Sequence, residues 1–235
     1  MADLQALLVL QDHDLALDQL RHRHSAHPVR AELSAAGTQL AQLDSVAVQL
    51  RIPRDEVAAT EKSRADEVAK FTEQAGMAEV KLYSGDITAP RELQALQADI
   101  EQLKRKARSA EDLELEAMEI REPLDTQLAD IAAAVATVTA QIEKLTAELT
   151  AALAELDYEI TAETEKRNVA SSEVTPEILA DYDRRRANGT GAARLVGTRC
   201  EGCHLTIPNA EAEKIRKAPA GTIASCENCG CILVP

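Results

Sequence analysis

Cys200 and Cys203 enclose two residues, Cys226 and Cys229 enclose two more, and 22 residues lie between the pairs. Two such turns can present four thiolates at the corners of a tetrahedron, the arrangement that holds Zn2+ at S–Zn distances of about 2.3 Å. The spacing predicts one structural zinc ion on Cys200, Cys203, Cys226 and Cys229. A cysteine-saturated ion keeps no open position for water, so no catalytic residues are expected and the chain reads as a non-enzyme. Cys231 stands only one residue beyond Cys229, too close for the usual chelating turn, and is expected outside the coordination sphere as a strand residue. His204 adjoins a ligand without ligand spacing.

A unit of roughly 40 residues has too small a core to hold itself together, so zinc binding and folding are coupled there. Leu205, Ile207, Ile223, Ile232 and Leu233 are expected to form a thin apolar layer from short strands, with Gly202 and Gly230 in the tight turns. Just upstream, Pro176–Ala187 reads as a short helix anchored by Ile178, Leu179 and Tyr182, and the following NGTGAARL stretch as a loop. Arg184, Arg185 and Arg186 form a basic cluster on that helix. With Arg194, Arg199, Lys214, Arg216 and Lys217 they are the candidate contacts for RNA or DNA. The scarcity of aromatic residues argues against a base-stacking platform.

The remainder of the chain must carry this unit, and its pattern is helical. From Leu33 to Leu82 the positions 33, 36, 40, 43, 47, 50, 54, 57, 61, 64, 68, 71, 75, 78 and 82 alternate by three and four and are mostly apolar, which predicts a helix-helix seam. The same spacing returns from Leu93 to Ala110 and resumes from Leu124 to Leu156. Between the two runs lies YSGDITAPR, residues 83–91, whose Gly85 and Pro90 suit a turn followed by a new helix. The chain therefore reads as mainly α: a long antiparallel coiled-coil hairpin over 1–170 with its tip at 83–91. A short helix and a β-rich zinc ribbon over 171–235 complete it. An 80-residue arm would extend about 120 Å at about 1.5 Å per residue. Tyr83, Asp86, Ile87 and Arg91 are the candidate partner-binding residues of the tip.

An amphipathic helix is expected at Asp3–Leu20, with Leu4, Leu8, Gln11 and Leu15 on one face and Leu7, Leu10, Leu17 and Leu20 widening it. His22, His24 and His27 precede Pro28 without an acid or cysteine at ligand spacing, so they read as a helix irregularity. Pro28, Pro53 and Pro123 mark expected breaks or bends. Lys104, Arg105, Lys106 and Arg108 precede an acidic stretch and are expected to form charge pairs within and between helices.

The chain has 235 residues, one Phe, no Trp and a net charge of −14. Residues 174–235 carry 8 Lys or Arg against 7 Asp or Glu, so the negative charge belongs to the helical part. An acidic helical surface repels phosphate, which disfavours general nucleic-acid binding there. The opening residues lack the basic, apolar and cleavage-site order of a secretory signal, and no apolar run is long enough to span a membrane. A cytoplasmic location is expected, where reducing conditions keep thiols available for zinc.

The combination resembles a bacterial family of proteins with a long helical hairpin followed by a four-cysteine zinc ribbon. The resemblance rests on LYSGDITAPRELQALQADIEQLKRK at Leu82–Lys106, the LELEAMEIRE stretch, and CEGC followed by IPNAEAEKIRKAPAGTIASCENCGCILVP, and it reaches across nearly the whole chain. It implies a noncatalytic adaptor or chaperone-like protein that binds a protein partner, with Cys200, Cys203, Cys226 and Cys229 matching the ligands. Some members look linked to flagellar or secretion-related proteins and to a specialised sigma factor, and nucleic-acid binding has been proposed in the family. Where the family often has a basic residue after the glycine that follows the last ligand, this chain has Cys231, which weakens transfer of a phosphate-binding role to that turn. Protein adaptor is thus the first expectation and nucleic-acid binding through the basic ribbon surface the second.

Overall fold

The computed structural model describes residues 2–219 and 221–235. Five helices, α1 (Ala2–Ser25), α2 (Val29–Tyr83), α3 (Pro90–Ser172), α4 (Pro176–Arg186) and α5 (Asn209–Lys217), accompany four strands, β1 (Ala192–Val196), β2 (Arg199–Cys200), β3 (Ala224–Ser225) and β4 (Ile232–Val234). The chain forms two compact units, one of Glu32–Leu145 and one of Met1–Ala31 with Thr146–Pro235.

In the first unit α2 and α3 run antiparallel. Every seam position read from the sequence of α2 is buried or half-buried, with Ala36, Ala47 and Ala75 the most enclosed. On α3 the seam does not lapse between Ala110 and Leu124: Glu114, Ala117 and Arg121 continue the same spacing and are also buried or half-buried. Charged residues at and beside the seam form ion pairs, and Arg64 pairs with Glu67 on its own helix at 2.8 Å. Arg121 meets Glu61 at 2.5 Å and Asp125 at 3.1 Å, while Arg54 donates to Asp125 at 2.8 Å. Charge pairing replaces apolar packing there without breaking the register. The helices also continue through Pro53 and Pro123. Each proline removes the donor for the carbonyl four residues earlier, on Gln49 and Glu119, and both of those residues are exposed to water that can satisfy it.

The tip is closed by local hydrogen bonds. Ser84 Oγ donates to the Lys81 carbonyl at 3.0 Å and accepts from the Asp86 N–H at 3.4 Å, while Gly85 takes φ of 82°. Pro90 opens α3, and the Leu93 N–H returns to the Ala89 carbonyl.

The second unit is built on α1. Leu4, Ala6, Leu7 and Leu10 pack with Ala170 and Val174, with Tyr182 of α4, and with Ala192, Ile232 and Val234 of the sheet. The buried face of α1 includes Leu4, Leu7, Leu10, Gln11, Asp14 and Leu17, with Leu8 and Leu20 half-buried; of the residues expected on it only Leu15 is exposed, and Asp14 is an addition. Pro28 does separate α1 from α2. His24 faces Asp157 at 3.4 Å and His13 faces Glu163 at 2.6 Å, joining α1 to α3.

The sheet order is β2-β1-β4-β3, with β1 and β4 parallel and both outer pairs antiparallel. Two expectations change here. The stretch read as a loop becomes strand from Ala192, because Ala192 and Ala193 find partners in Ile232 and Leu233, forty residues later. The segment between the cysteine pairs holds helix α5, which buries Ala212 and Ile215 and places Lys214, Arg216 and Lys217 in its last turn, where cations suit the helix dipole.

Candidate metal centre

Each cysteine pair occupies a turn of the same construction. Cys200 N–H donates to the Leu205 carbonyl at 3.0 Å, and His204 N–H donates to the Cys200 carbonyl at 2.8 Å. In the second turn Cys226 N–H donates to the Cys231 carbonyl at 2.9 Å, and Gly230 N–H to the Cys226 carbonyl at 2.8 Å. The residue after each second cysteine lies in the left-handed region, His204 at φ 60° and Gly230 at φ 73°. That conformation reverses the chain so both sulfurs of a pair face inward, and Gly adopts it without strain.

The four sulfurs of Cys200, Cys203, Cys226 and Cys229 all lie within 4.8 Å of one another. Cys200 and Cys229 are 3.9 Å apart, and Cys203 and Cys226 3.8 Å. A tetrahedron with S–Zn bonds of about 2.3 Å has edges of about 3.8 Å, so the donor set fits Zn2+ in both chemistry and size. The cluster is positioned to chelate a single structural zinc ion. Among the described residues no second group of histidines, cysteines and carboxylates gathers in this way, His22, His24 and His27 included.

Cys231 is closer to this cluster than its sequence position suggests. Its sulfur lies 3.4 Å from Cys229 Sγ and 3.6 Å from Cys200 Sγ, and its side chain is fully enclosed. Burial pushes the Cys231 thiol well above its ordinary range. Burial also acts to raise Cys229, but the Cys231 N–H and the neighbouring thiols donate to it and hold it at about 7. The layer under the site comprises Ala193, Leu195, Cys200, Ile207, Ala212, Ile215, Cys226, Cys231 and Leu233. Of the apolar residues expected there, Ile207 and Leu233 are buried in it and Ile232 is buried instead in the core around α1, whereas Leu205 and Ile223 are exposed.

Gly202 is closely packed: a Cβ there would stand 3.0 Å from Ala193 Cβ and 3.4 Å from Cys231 Sγ. Arg185 ties α4 to the second turn, donating from Nη1 to the Gly230 carbonyl at 2.5 Å and to Ser225 Oγ at 2.8 Å. No motif announces this link, because its partners lie 40 and 45 residues away.

The candidate basic residues divide into two groups. Arg184 and Arg185 pair with Asp181 at 3.3 and 2.9 Å, and Arg186 pairs with Asp18. Arg216 donates to the Gly197 carbonyl, and Lys217 pairs with Glu213 at 3.0 Å. Among the described residues, Arg194, Arg199 and Lys214 are exposed without an ion pair. On α3, Lys104 meets Glu79 at 2.5 Å, Arg105 meets Glu101 at 3.9 Å, and Lys106 stands 5.7 Å from the Phe71 ring centroid.

At the hairpin tip Tyr83 is 83% exposed, with Val80 at 74% and Met77 at 61%. Asp86 and Arg91 are exposed and Ile87 is half-buried. Met77 and Val80 were not among the candidate tip residues, although both fall between the seam positions Ala75, Ala78 and Leu82 and so had to face outward.

Helical hairpin and four-cysteine ribbon together define a class of zinc-ribbon coiled-coil proteins. Residues 10–190 match the CT398-like coiled coil hairpin domain and residues 199–233 the C4-type zinc ribbon domain, and the chain belongs to this bacterial hairpin-and-ribbon family. It is similar to uncharacterized proteins of two Mycobacterium tuberculosis strains, each 31% identical over 242 residues, covering all of this chain and 96% of the relative. Among solved structures, a Mycobacterium smegmatis protein matches with TM-score 0.87 at 23% identity, over 99% of this chain and 97% of the other. CT398 from Chlamydia trachomatis matches with TM-score 0.69 at 16% identity, over 98% and 96%. HP0958 from Helicobacter pylori matches with TM-score 0.53 at 15% identity, again over 98% and 96%. At these identities the three structures show the shared fold. No described helix is long and apolar enough to cross a membrane.

Proposed function

We propose that this protein is a noncatalytic adaptor that binds a protein partner through the tip of its helical hairpin, with the zinc ribbon as a folded structural module. The observation that carries the reading is the set of outward-facing apolar side chains Met77, Val80 and Tyr83 on the last turns of α2, beside the charged Asp86 and Arg91. Large exposed aromatic and methionine side chains are the residue types enriched at protein interfaces, whereas Lys and Glu are depleted there. The ribbon's chemistry supports a structural part, since four thiolates saturate a tetrahedral ion and leave no site for a reacting water. The charge pattern disfavours nucleic acid as the principal ligand: five of the eight candidate basic residues have their charge directed at carboxylates or backbone carbonyls.

The test is affinity capture from the native cell extract with nuclease present, comparing the intact protein with a Met77→Ser, Val80→Ser, Tyr83→Ser triple variant. A stoichiometric protein retained by the intact chain and lost from the triple variant is the expected result. Nucleic acid captured without nuclease, and lost on replacing Arg194, Arg199 and Lys214 with Ala, would instead place function on the ribbon. Those three are the appropriate substitutions, because removing Arg185 or Arg186 also unfastens α4 from its neighbours.

A further inference from the structure

Five sulfurs converge where four suffice. The two cysteine turns share the same hydrogen-bond plan, in which Leu205 and Cys231 occupy equivalent positions as carbonyl acceptors for Cys200 and Cys226. Leu205 turns its side chain to solvent, whereas Cys231 turns inward and packs its sulfur against Cys229 and Cys200. Arg185 holds the intervening turn by its bond to the Gly230 carbonyl. Cys229 is the exposed member of the cluster, and Cys200, Cys226 and Cys231 are buried. An oxidant arriving from solvent therefore meets Cys229 first, and the thiol nearest to it that is not needed as a zinc ligand is Cys231.

We propose that Cys229 and Cys231 form a modification site for hydrogen peroxide, in which Cys229 is oxidised and Cys231 resolves it as a disulfide. The Cys229 thiolate attacks one peroxide oxygen, the O–O bond breaks, and Cys229 becomes a sulfenic acid while hydroxide leaves and takes up a proton. The Cys231 sulfur then attacks the sulfenic sulfur, the S–O bond breaks, and the Cys231 proton departs with the oxygen as a second water. Two sulfurs lose two electrons to one peroxide, which becomes two waters. The disulfide removes Cys229 from the coordinating set and leaves three thiolates, so the oxidised ribbon holds zinc more weakly. A dithiol reductant restores both thiols and full coordination. Two residues separated by one glycine, with sulfurs 3.4 Å apart, are near enough for an S–S bond of about 2.05 Å after a small side-chain rotation.

The experiment uses the full zinc-loaded chain with measured hydrogen peroxide. Zinc release is followed with a chromogenic chelator, and disulfides are mapped by differential alkylation and fragmentation of the Ala218–Pro235 peptide. The wild type is expected to lose zinc in step with a Cys229–Cys231 disulfide and to rebind it after dithiothreitol. Cys231→Ser and Cys231→Ala are expected to bind zinc at wild-type stoichiometry, to lose that disulfide, and to accumulate a dimedone adduct at Cys229. Disulfides that omit Cys231 or join it to another sulfur would overturn the proposal. So would variants that release and recover zinc as the wild type does without a dimedone adduct, or loss of zinc from both variants, which would make Cys231 a ligand. Failure of peroxide to oxidise the wild type under conditions that oxidise a free-thiol peptide would overturn it as well.

Discussion

The hydroxyl of Tyr182 donates to Asp14 at 2.6 Å, and both side chains are buried. Asp14 also accepts from Arg167 Nε at 2.8 Å, so one carboxylate joins α1, α3 and α4. Tyr182→Phe leaves the Arg167 bond in place and should cost about 1.5–3 kcal/mol, the usual worth of a hydrogen bond to a charged group. Asp14→Ala removes both the tyrosine's short bond and one of the two carboxylate partners of Arg167, which keeps Asp183, and should cost more. Urea unfolding of the two variants gives the order, and equal stability of wild type and Tyr182→Phe would contradict it.

Gly191 lies against the same tyrosine. A Cβ built there would stand 2.5 Å from the ring, and the ring is fixed on its other faces by the α1 core. Gly191→Ala should therefore destabilise the ribbon-bearing unit by about 1–3 kcal/mol, the range for forced overpacking. Thermal melts compare it with Gly37→Ala, where nothing lies within 4 Å of the added carbon and no loss is expected.

Glu163 sits below the ordinary carboxylate range, first because His13 bonds to it and next because Lys166 does. A depressed carboxylate contributes stability above its unfolded pKa of about 4.3, and that contribution disappears as pH falls through the lower folded value. The stability gap between wild type and Glu163→Gln should thus be full at neutral pH and shrink below about pH 4.3. A gap that widened on acidification would refute the assignment.

Zinc binding contributes about 10–16 kcal/mol in small cysteine-ligated domains, as much as the entire stability of many folded domains. Chelation, or Cys226→Ser, should therefore abolish the chemical-shift dispersion of β1–β4 and α5. Far-UV circular dichroism should keep most of its helical amplitude, because the α2–α3 seam contains no zinc ligand. Retention of stoichiometric zinc by Cys226→Ser would remove that residue from the ligand set.

Replacing Met77, Val80 and Tyr83 with Ser should leave the melting temperature nearly unchanged. All three side chains are largely exposed, and surface substitutions of this kind usually alter stability by no more than about 0.5 kcal/mol. A large loss of stability would mean that those side chains support the hairpin itself, and would invalidate the triple variant as a binding test.

The sequence alone determined the seam and the cysteine turns, because both are repetitive or local. A three-four spacing follows from helical geometry wherever it occurs, and a Cys-x-x-Cys turn places its two sulfurs within a few bonds of each other. That is why the seam could be located residue by residue from Leu33 to Leu82. Where it was read as interrupted, between Ala110 and Leu124, charged residues occupied seam positions, and hydropathy could not indicate that Arg121 would meet Glu61. The tertiary structure alone decided the contacts between distant segments. Asp14 carries no apolar signal, yet it lies in the buried face of α1 because Tyr182 and Arg167 come to it from more than 150 residues away. The strand at Ala192, the fastening of Arg185 to Gly230, and the approach of Cys231 to Cys200 have the same origin. Each depends on which remote backbone closes over it, and no local periodicity encodes that.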